Sequence, residues 1–182
     1  MSIRKSLRQH IVPLEDLNLF FSSYKLTTCL DVGCGTGLWP EYLLEKGIIA
    51  SCDGVEIHSK YFRQEKNLKI TPASELPNDK TYDLVSFFDV LHHVDDKENF
   101  LKNYINKYGK KGTLIFIKEM SPQNIFFKSM NRLHDLLMAR QIISEVSMGE
   151  LVTKLNYCEL VASGTKRIAW YDHYWCLFRK LN

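Results

Sequence analysis

The stretch "TTCLDVGCGTGLWPEYLLEKG" (Thr27–Gly47) joins an apolar run to a helical one through three closely spaced glycines, with a carboxylate, Asp31, at the end of the run. The run Cys29–Val32 predicts a buried strand, and "PEYLLEK" predicts a helix that stops at Gly47 in the left-handed conformation. In an open α/β sheet, the first strand–loop–helix joint is where a nucleotide-like ligand is held. Gly33, Gly35 and Gly37 allow a tight turn and let backbone approach a bound group closely. The dinucleotide fingerprint wants its third glycine one position later, where Leu38 stands, and no Lys-Ser/Thr of a P-loop follows. Asp31 carries the distinction further. A carboxylate is poorly placed beside a pyrophosphate, but beside a cation it gains about 1–4 kcal/mol at a wet site.

Beyond this joint, short β-rich runs alternate with helical stretches, which signals a parallel sheet covered by helices. Strands are expected at Cys29–Val32, Cys52–Glu56, Leu68–Ile70, Tyr82–Phe87, Thr113–Lys118, Leu160–Ser163 and Tyr174–Phe178. In "DKENFLKNYINKYG", Asp95 or Asp96 can cap a helix whose Phe100/Tyr104 and Leu101/Ile105 pair at i,i+4, with Gly109 closing it. In "SMGELVTKLNYCEL", Ser147 is a cap and Asn156 a stop. Residues 1–26 form an N-terminal helical segment, with Ile3 and Leu7 on one face of a short helix. Residues 119–147 break the alternation with an interrupted helical insert. It reads equally as a surface helix or as a substrate lid or subunit contact, because connections after strand C-termini line the ligand crevice.

Composition bounds the rest. The 182 residues, 45% hydrophobic and 25% charged, suit a single domain over residues 1–182 with its own core. A net charge of +3 without a concentrated basic stripe does not point to nucleic acid. Five scattered cysteines without a C-x-x-C pair suit reduced thiols and a cytoplasmic location, not a disulfide frame or a zinc site. No apolar run approaches the roughly 18 residues of a membrane span, and the basic start lacks the apolar centre of a signal peptide. Nothing separates a monomer from a homodimer.

A second carboxylate, Glu56, ends the strand "CDGVEI" about 20 residues past the glycines, where an acid can accept ribose hydroxyls. Asp53, three residues earlier, should point to the opposite face. A free ribose diol plus an ammonium, without phosphates, describes S-adenosylmethionine better than NAD.

With these residues in place, the chain resembles the class I S-adenosylmethionine-dependent methyltransferases, in particular their small-molecule branch (type 11/12-like). "LDVGCGTG" is similar to their first motif and "GVEIHSK" to their second. "TPASELPNDKTYDLVSFFDVLHHVDD" and "GKKGTLIFIKE" are similar to the third-to-fourth and fifth motif regions, all in order across Thr27–Glu119. The resemblance implies a three-layer α/β/α sandwich with a Rossmann-like, seven-stranded, mostly parallel sheet and an antiparallel last strand. It implies S-adenosylmethionine as cofactor, S-adenosylhomocysteine as product, and Asp31 facing the methionine amino group. The loop Gly33, Cys34, Gly35, Thr36 and Gly37 wraps the cofactor, Glu56 takes the ribose hydroxyls and Ile57 packs on the adenine. Many relatives carry an acid where Pro72 stands, so adenine contact falls instead to the Ala73 backbone and the Ser74 hydroxyl. The acceptor is expected to be an oxygen or nitrogen atom of a small molecule. An RNA or protein methyltransferase and a non-catalytic cofactor-binding partner subunit are the alternatives.

"FFDVLHHVDD" places Asp89, His92 and His93 at the end of the fourth strand, beside the methyl group in that reading, with Asp89 counted among the cofactor-binding residues. His92 or His93 suits a general base for a hydroxyl acceptor; the bland alternative is one histidine packed or capping and the other solvated. A third reading makes Asp89, His92 and His93 a divalent-metal set, by similarity to ubiquinone-type O-methyltransferases. Trp170, Tyr171 and His173 are candidates to face an acceptor from the aromatic C-terminal strands, and Lys128, Arg132, His134 and Arg140 to face an anionic one. Core packing and a solvated helix face are the plainer readings.

Overall fold

The computed structural model describes residues 14–120, 129, 144–168 and 171–182. One eight-stranded sheet runs through it: β1 (Thr28–Val32), β2 (Ser51–Val55), β3 (Arg63–Gln64), β4 (Leu68–Thr71), β5 (Tyr82–Phe88), β6 (Gly109–Met120), β7 (Cys158–Ile168) and β8 (Tyr171–Lys180). The spatial order is β3-β4-β2-β1-β5-β6-β8-β7. Strands β4, β2, β1, β5 and β6 are parallel, and β8 lies antiparallel between β6 and β7. The sheet is thus Rossmann-like and mostly parallel, with an antiparallel last strand.

All seven expected strands form. The eighth, β3, pairs antiparallel with β4 through Arg63↔Ile70 and Gln64↔Lys69. Two residues are too short to show an apolar alternation, so nothing in the sequence marks them. A turn closed by Glu65 N–H donating to the Leu68 carbonyl (2.8 Å) and the ion pair of Arg63 with Glu41 hold them instead.

Side chains alternate across the sheet and build two cores. On one face, Cys29, Cys52, Ile70, Leu84 and Phe116 pack beneath α1 (Leu14–Phe21) and α2 (Leu38–Glu45), which contribute Leu17, Phe21, Trp39 and Leu43. On the other, Leu30, Val32, Val85, Phe87, Ile115 and Ile117 pack beneath α3 (Lys97–Tyr108) and α4 (Met148–Lys154). Leu101 and Ile105 of α3 are fully buried there, each contributing about 1.5–3 kcal/mol by leaving water. Asp96 caps α3 by accepting from the Asn99 N–H (3.1 Å), and Ser147 caps α4 in a reciprocal box with Glu150. Gly47 is left-handed (φ 66°) as expected, but Gly109 is extended (φ −100°), because the chain passes straight from α3 into β6.

Of the N-terminal segment, α1 is described and residues 1–13 are not; most of the 119–147 insert, residues 121–128 and 130–143, also lies outside the described residues. Where the insert returns, the Ser144 N–H donates to the His92 carbonyl (3.0 Å) and the Tyr174 hydroxyl to the Val146 carbonyl (2.6 Å). The return therefore lands on the loop after β5. Among the described residues no helix is long and apolar enough to cross a membrane.

Candidate functional site

Strand order reverses at β1, whose neighbours β2 and β5 lead to opposite edges of the sheet. Outside the C-terminal ends of these strands lies a cleft of about 630 Å³, the position where open parallel sheets bind ligands. Asp31, Gly33, Cys34, Gly35, Glu56, Ile57, Asp89 and His93 all border it.

The glycine loop is held by its backbone. The N–H groups of Gly33 and Cys34 both donate to the Val55 carbonyl (2.8 and 3.0 Å), tying the loop to β2. Gly33 is left-handed (φ 74°), and a Cβ there would stand 2.2 Å from Val90 Cγ2, so only glycine lets the β1 and β5 loops touch. Gly37 starts α2 in the same conformation (φ 80°).

Asp31 is almost fully buried. Its Oδ1 accepts a hydrogen bond from Ser86 Oγ (2.5 Å), while Oδ2 has no partner among the described residues. Burial pushes its carboxyl up to about 7; the Ser86 hydrogen bond pulls the other way, and the nearby Glu56 charge adds to the rise. A buried carboxylate oxygen without a donor is costly to keep ionised.

Glu56 fastens the opposite wall. Its Oε2 accepts from the Gly35 N–H (2.8 Å), and Oε1 from the N–H groups of Ile57 (2.8 Å) and His58 (3.1 Å). Three of roughly four acceptor positions are thereby used, which leaves the carboxylate about one further donor, not two. Ile57 stands beside it with 83% of its surface exposed, an uncovered apolar face at the cleft mouth. Asp53 faces elsewhere and binds Lys80 Nζ and the Tyr82 hydroxyl (both 2.6 Å).

The loop after β5 is clamped by two consecutive buried residues of β6. Lys118, fully buried, pairs with both oxygens of Asp89 (2.8 and 2.7 Å), which sits at φ 53°, and lies over the Phe88 ring. Glu119, also fully buried, accepts from the N–H groups of Val90 (2.9 Å) and Leu91 (2.6 Å) and holds His92 Nδ1 at 2.7 Å. His92 is thus buried behind the cleft wall, whereas the exposed His93 borders the cleft with its ring 4.1 Å from that of His92.

The other candidate residues are placed as follows. Thr36 and Gly37 complete the loop, and Ala73 and Ser74 lie on the turn that follows β4, at the same end of the sheet as Glu56, whose N–H donates to the Thr71 carbonyl (3.1 Å). The metal reading of Asp89, His92 and His93 fails geometrically. Asp89 is engaged by Lys118 and His92 by Glu119, and among the described residues no group of three or more His, Cys, Asp or Glu side chains is arranged to hold a metal. Cys34 borders the cleft, but desolvation, with the charges of Asp31 and Glu56, drives its thiol far above the usual range and makes it inert. His173 is buried in β8, while the side chains of Trp170 and Tyr171 and residues Lys128, Arg132, His134 and Arg140 lie outside the described residues. Sequence reasoning does not reach Lys118, Glu119 and Ser86. The signal for the first two is a Lys-Glu pair ending the otherwise apolar run "TLIFIKE".

Comparison with known proteins agrees with this geometry. A family model described as "Methyltransferase domain" matches residues 7–158. The chain is 30% identical over 110 residues to the ubiquinone biosynthesis O-methyltransferase of Rickettsia typhi, covering 56% of this chain and 45% of that protein. It spans about half or less of the length of the curated relatives it matches. A SAM-dependent methyltransferase from Methanosarcina mazei shares the fold at TM-score 0.67 and 18% identity, over 93% of this chain and 98% of that one. The N-methyltransferase NodS of Bradyrhizobium japonicum, in complex with S-adenosyl-L-homocysteine, does so at TM-score 0.66 and 12% identity, over 98% of each. With its family match covering most of its length, and its sheet order and glycine-loop cleft in agreement, the chain belongs to the class I S-adenosylmethionine-dependent methyltransferases.

Proposed function

We propose that this chain binds S-adenosylmethionine in the cleft at the ends of β1, β2 and β5 and transfers its methyl group to an oxygen or nitrogen atom of a small molecule. The observation that carries this reading is Asp31 Oδ2, a buried acceptor without a partner among the described residues, which suits an α-ammonium and repels a phosphate. Glu56 offers its remaining acceptor position to a ribose hydroxyl, and the exposed Ile57 gives an adenine ring an apolar surface. The curated relatives are O-methyltransferases, which favours an oxygen acceptor.

When bound, the cofactor supplies a methyl group already activated on a sulfonium, so the protein's task is alignment and exclusion of water. Phe88, Phe100 and Tyr104 line the cleft with aromatic surface on the β5 side. His93 is the group placed to take a proton from a hydroxyl acceptor, since histidine titrates near neutrality and this one borders the cleft. His92, held by Glu119, positions that loop instead. The five buried cysteines, none in a disulfide, suit a cytoplasmic, reducing setting.

Thermal unfolding with added ligand tests the cofactor assignment. S-adenosylhomocysteine at about 100 times its Kd should stabilise by about 2.7 kcal/mol, several degrees in Tm for a chain of this size, and NAD should not. The reverse outcome overturns the reading.

A further inference from the structure

Among the described residues, two buried side-chain polar atoms that lack a partner belong to residues bordering the cleft: Asp31 Oδ2 and Trp39 Nε1. They are of opposite kind, one an acceptor and the other an N–H donor with no acceptor capacity. They also share one face of the sheet. Asp31 pairs in register with Ser86, and Ser86 with Phe116; Phe88 lies two residues beyond Ser86 on the same side. The Trp39 indole stacks on Phe88 (4.9 Å, 20°) and Phe116 (5.2 Å, 26°) and lies near-parallel to Tyr42 (6.0 Å, 17°).

Three ring contacts fix the indole plane, so the N–H cannot turn away to find another acceptor. Trp39 is only 2% exposed, which denies it bulk water. A buried donor left unmade costs about as much as a hydrogen bond contributes, and native structures keep few of them without a reason. An ammonium-seeking carboxylate and an acceptor-seeking N–H on one wall complement a zwitterionic α-amino acid group.

We infer that the Trp39 indole N–H is a ligand-binding group that hydrogen-bonds the carboxylate of the cofactor's amino acid end, opposite the ammonium held by Asp31. This rests on the cofactor reading above. It makes Trp39 a determinant of binding for the amino acid half of the ligand alone.

The test compares S-adenosylhomocysteine with 5′-methylthioadenosine, which keeps the nucleoside and thioether but lacks the amino acid end. Calorimetric Kd values are measured for the native chain and for Trp39→Phe, which keeps an aromatic ring but removes the N–H. Loss of one charge-assisted hydrogen bond should weaken S-adenosylhomocysteine by about ten-fold or more while leaving methylthioadenosine within about two-fold. Equal weakening of both ligands, or of neither, overturns the inference. If Trp39→Phe does not fold, the native protein still decides. In a proton–nitrogen correlation spectrum the Trp39 indole resonance should move with S-adenosylhomocysteine and stay with methylthioadenosine; no move with the former refutes the contact. If neither ligand binds the native chain, the cofactor reading itself fails, and that outcome is distinct from a loss confined to the variant.

Discussion

Replacing Asp31 by asparagine should make the ligand-free protein more stable at alkaline pH while destroying its cofactor site. The carboxyl is buried, has one hydrogen bond from Ser86 and no second partner among the described residues, and is pushed from 3.8 up to about 7. In the unfolded chain it titrates like any aspartate. Below about pH 4 both states hold the proton, and the group adds no pH dependence. Between about pH 4 and 7 the unfolded chain has lost the proton while the native one keeps it, so native stability falls as pH rises. Above about 7 the penalty is complete and amounts to roughly 4 kcal/mol, an upper bound because the surroundings relax. The asparagine side chain carries no such penalty, and its amide oxygen can still accept from Ser86. Any cost of the new amide N–H₂ is the same at every pH. Denaturant unfolding of both proteins at pH 5 and pH 8 isolates the effect: relative to the native chain, Asp31→Asn should gain about 2–3 kcal/mol between the two. A difference that is flat with pH would show that burial does not control this carboxyl. The same titration governs binding. An ammonium ligand prefers ionised Asp31, so S-adenosylhomocysteine should bind about ten-fold tighter at pH 8 than at pH 6, with proton release at the lower pH.

Glu56→Ala removes the acceptor of three loop N–H groups and should weaken S-adenosylhomocysteine binding far more than Asp53→Ala, which breaks only the contacts to Lys80 and Tyr82. Equal Kd values by calorimetry would place the ribose at the wrong acid. Lys118→Met removes the cation that pairs with both Asp89 oxygens and should cost about 3–5 kcal/mol in denaturant unfolding, much of it recovered by adding Asp89→Asn. No recovery in the double variant would mean the lysine acts mainly through packing. With an oxygen acceptor, His93→Ala should lower kcat, whereas His92→Ala should act mainly on Tm by removing the ring that Glu119 holds. The opposite pattern would make His92 the base.

Much of this arrangement is legible along the chain because its signals are local. The parallel strands are short β-rich runs, with apolar stretches such as Leu114–Ile117 in β6, the caps Asp96 and Ser147 act within three residues, and Gly33 must be glycine for a turn that the sequence itself describes. Asp31 and Glu56 are readable because each ends a strand, and a parallel sheet presents all its strand ends at one crevice. What stays hidden depends on partners far apart in sequence. β3 exists through Arg63 reaching Glu41, and nothing within two residues announces it.

The histidine pair shows the division most clearly. Two adjacent histidines are chemically equal in the sequence, and only the arrival of Glu119 from β6 buries one and leaves the other at the cleft. The fate of Asp89 is likewise set by Lys118, whose apolar run hints at burial but whose partner stands 29 residues away. The donor class can be read from the chain alone, through a carboxylate and glycines at one strand end. Which side chains remain for the acceptor is a matter of tertiary packing, because only packing settles which charges are spent on one another and which face the ligand.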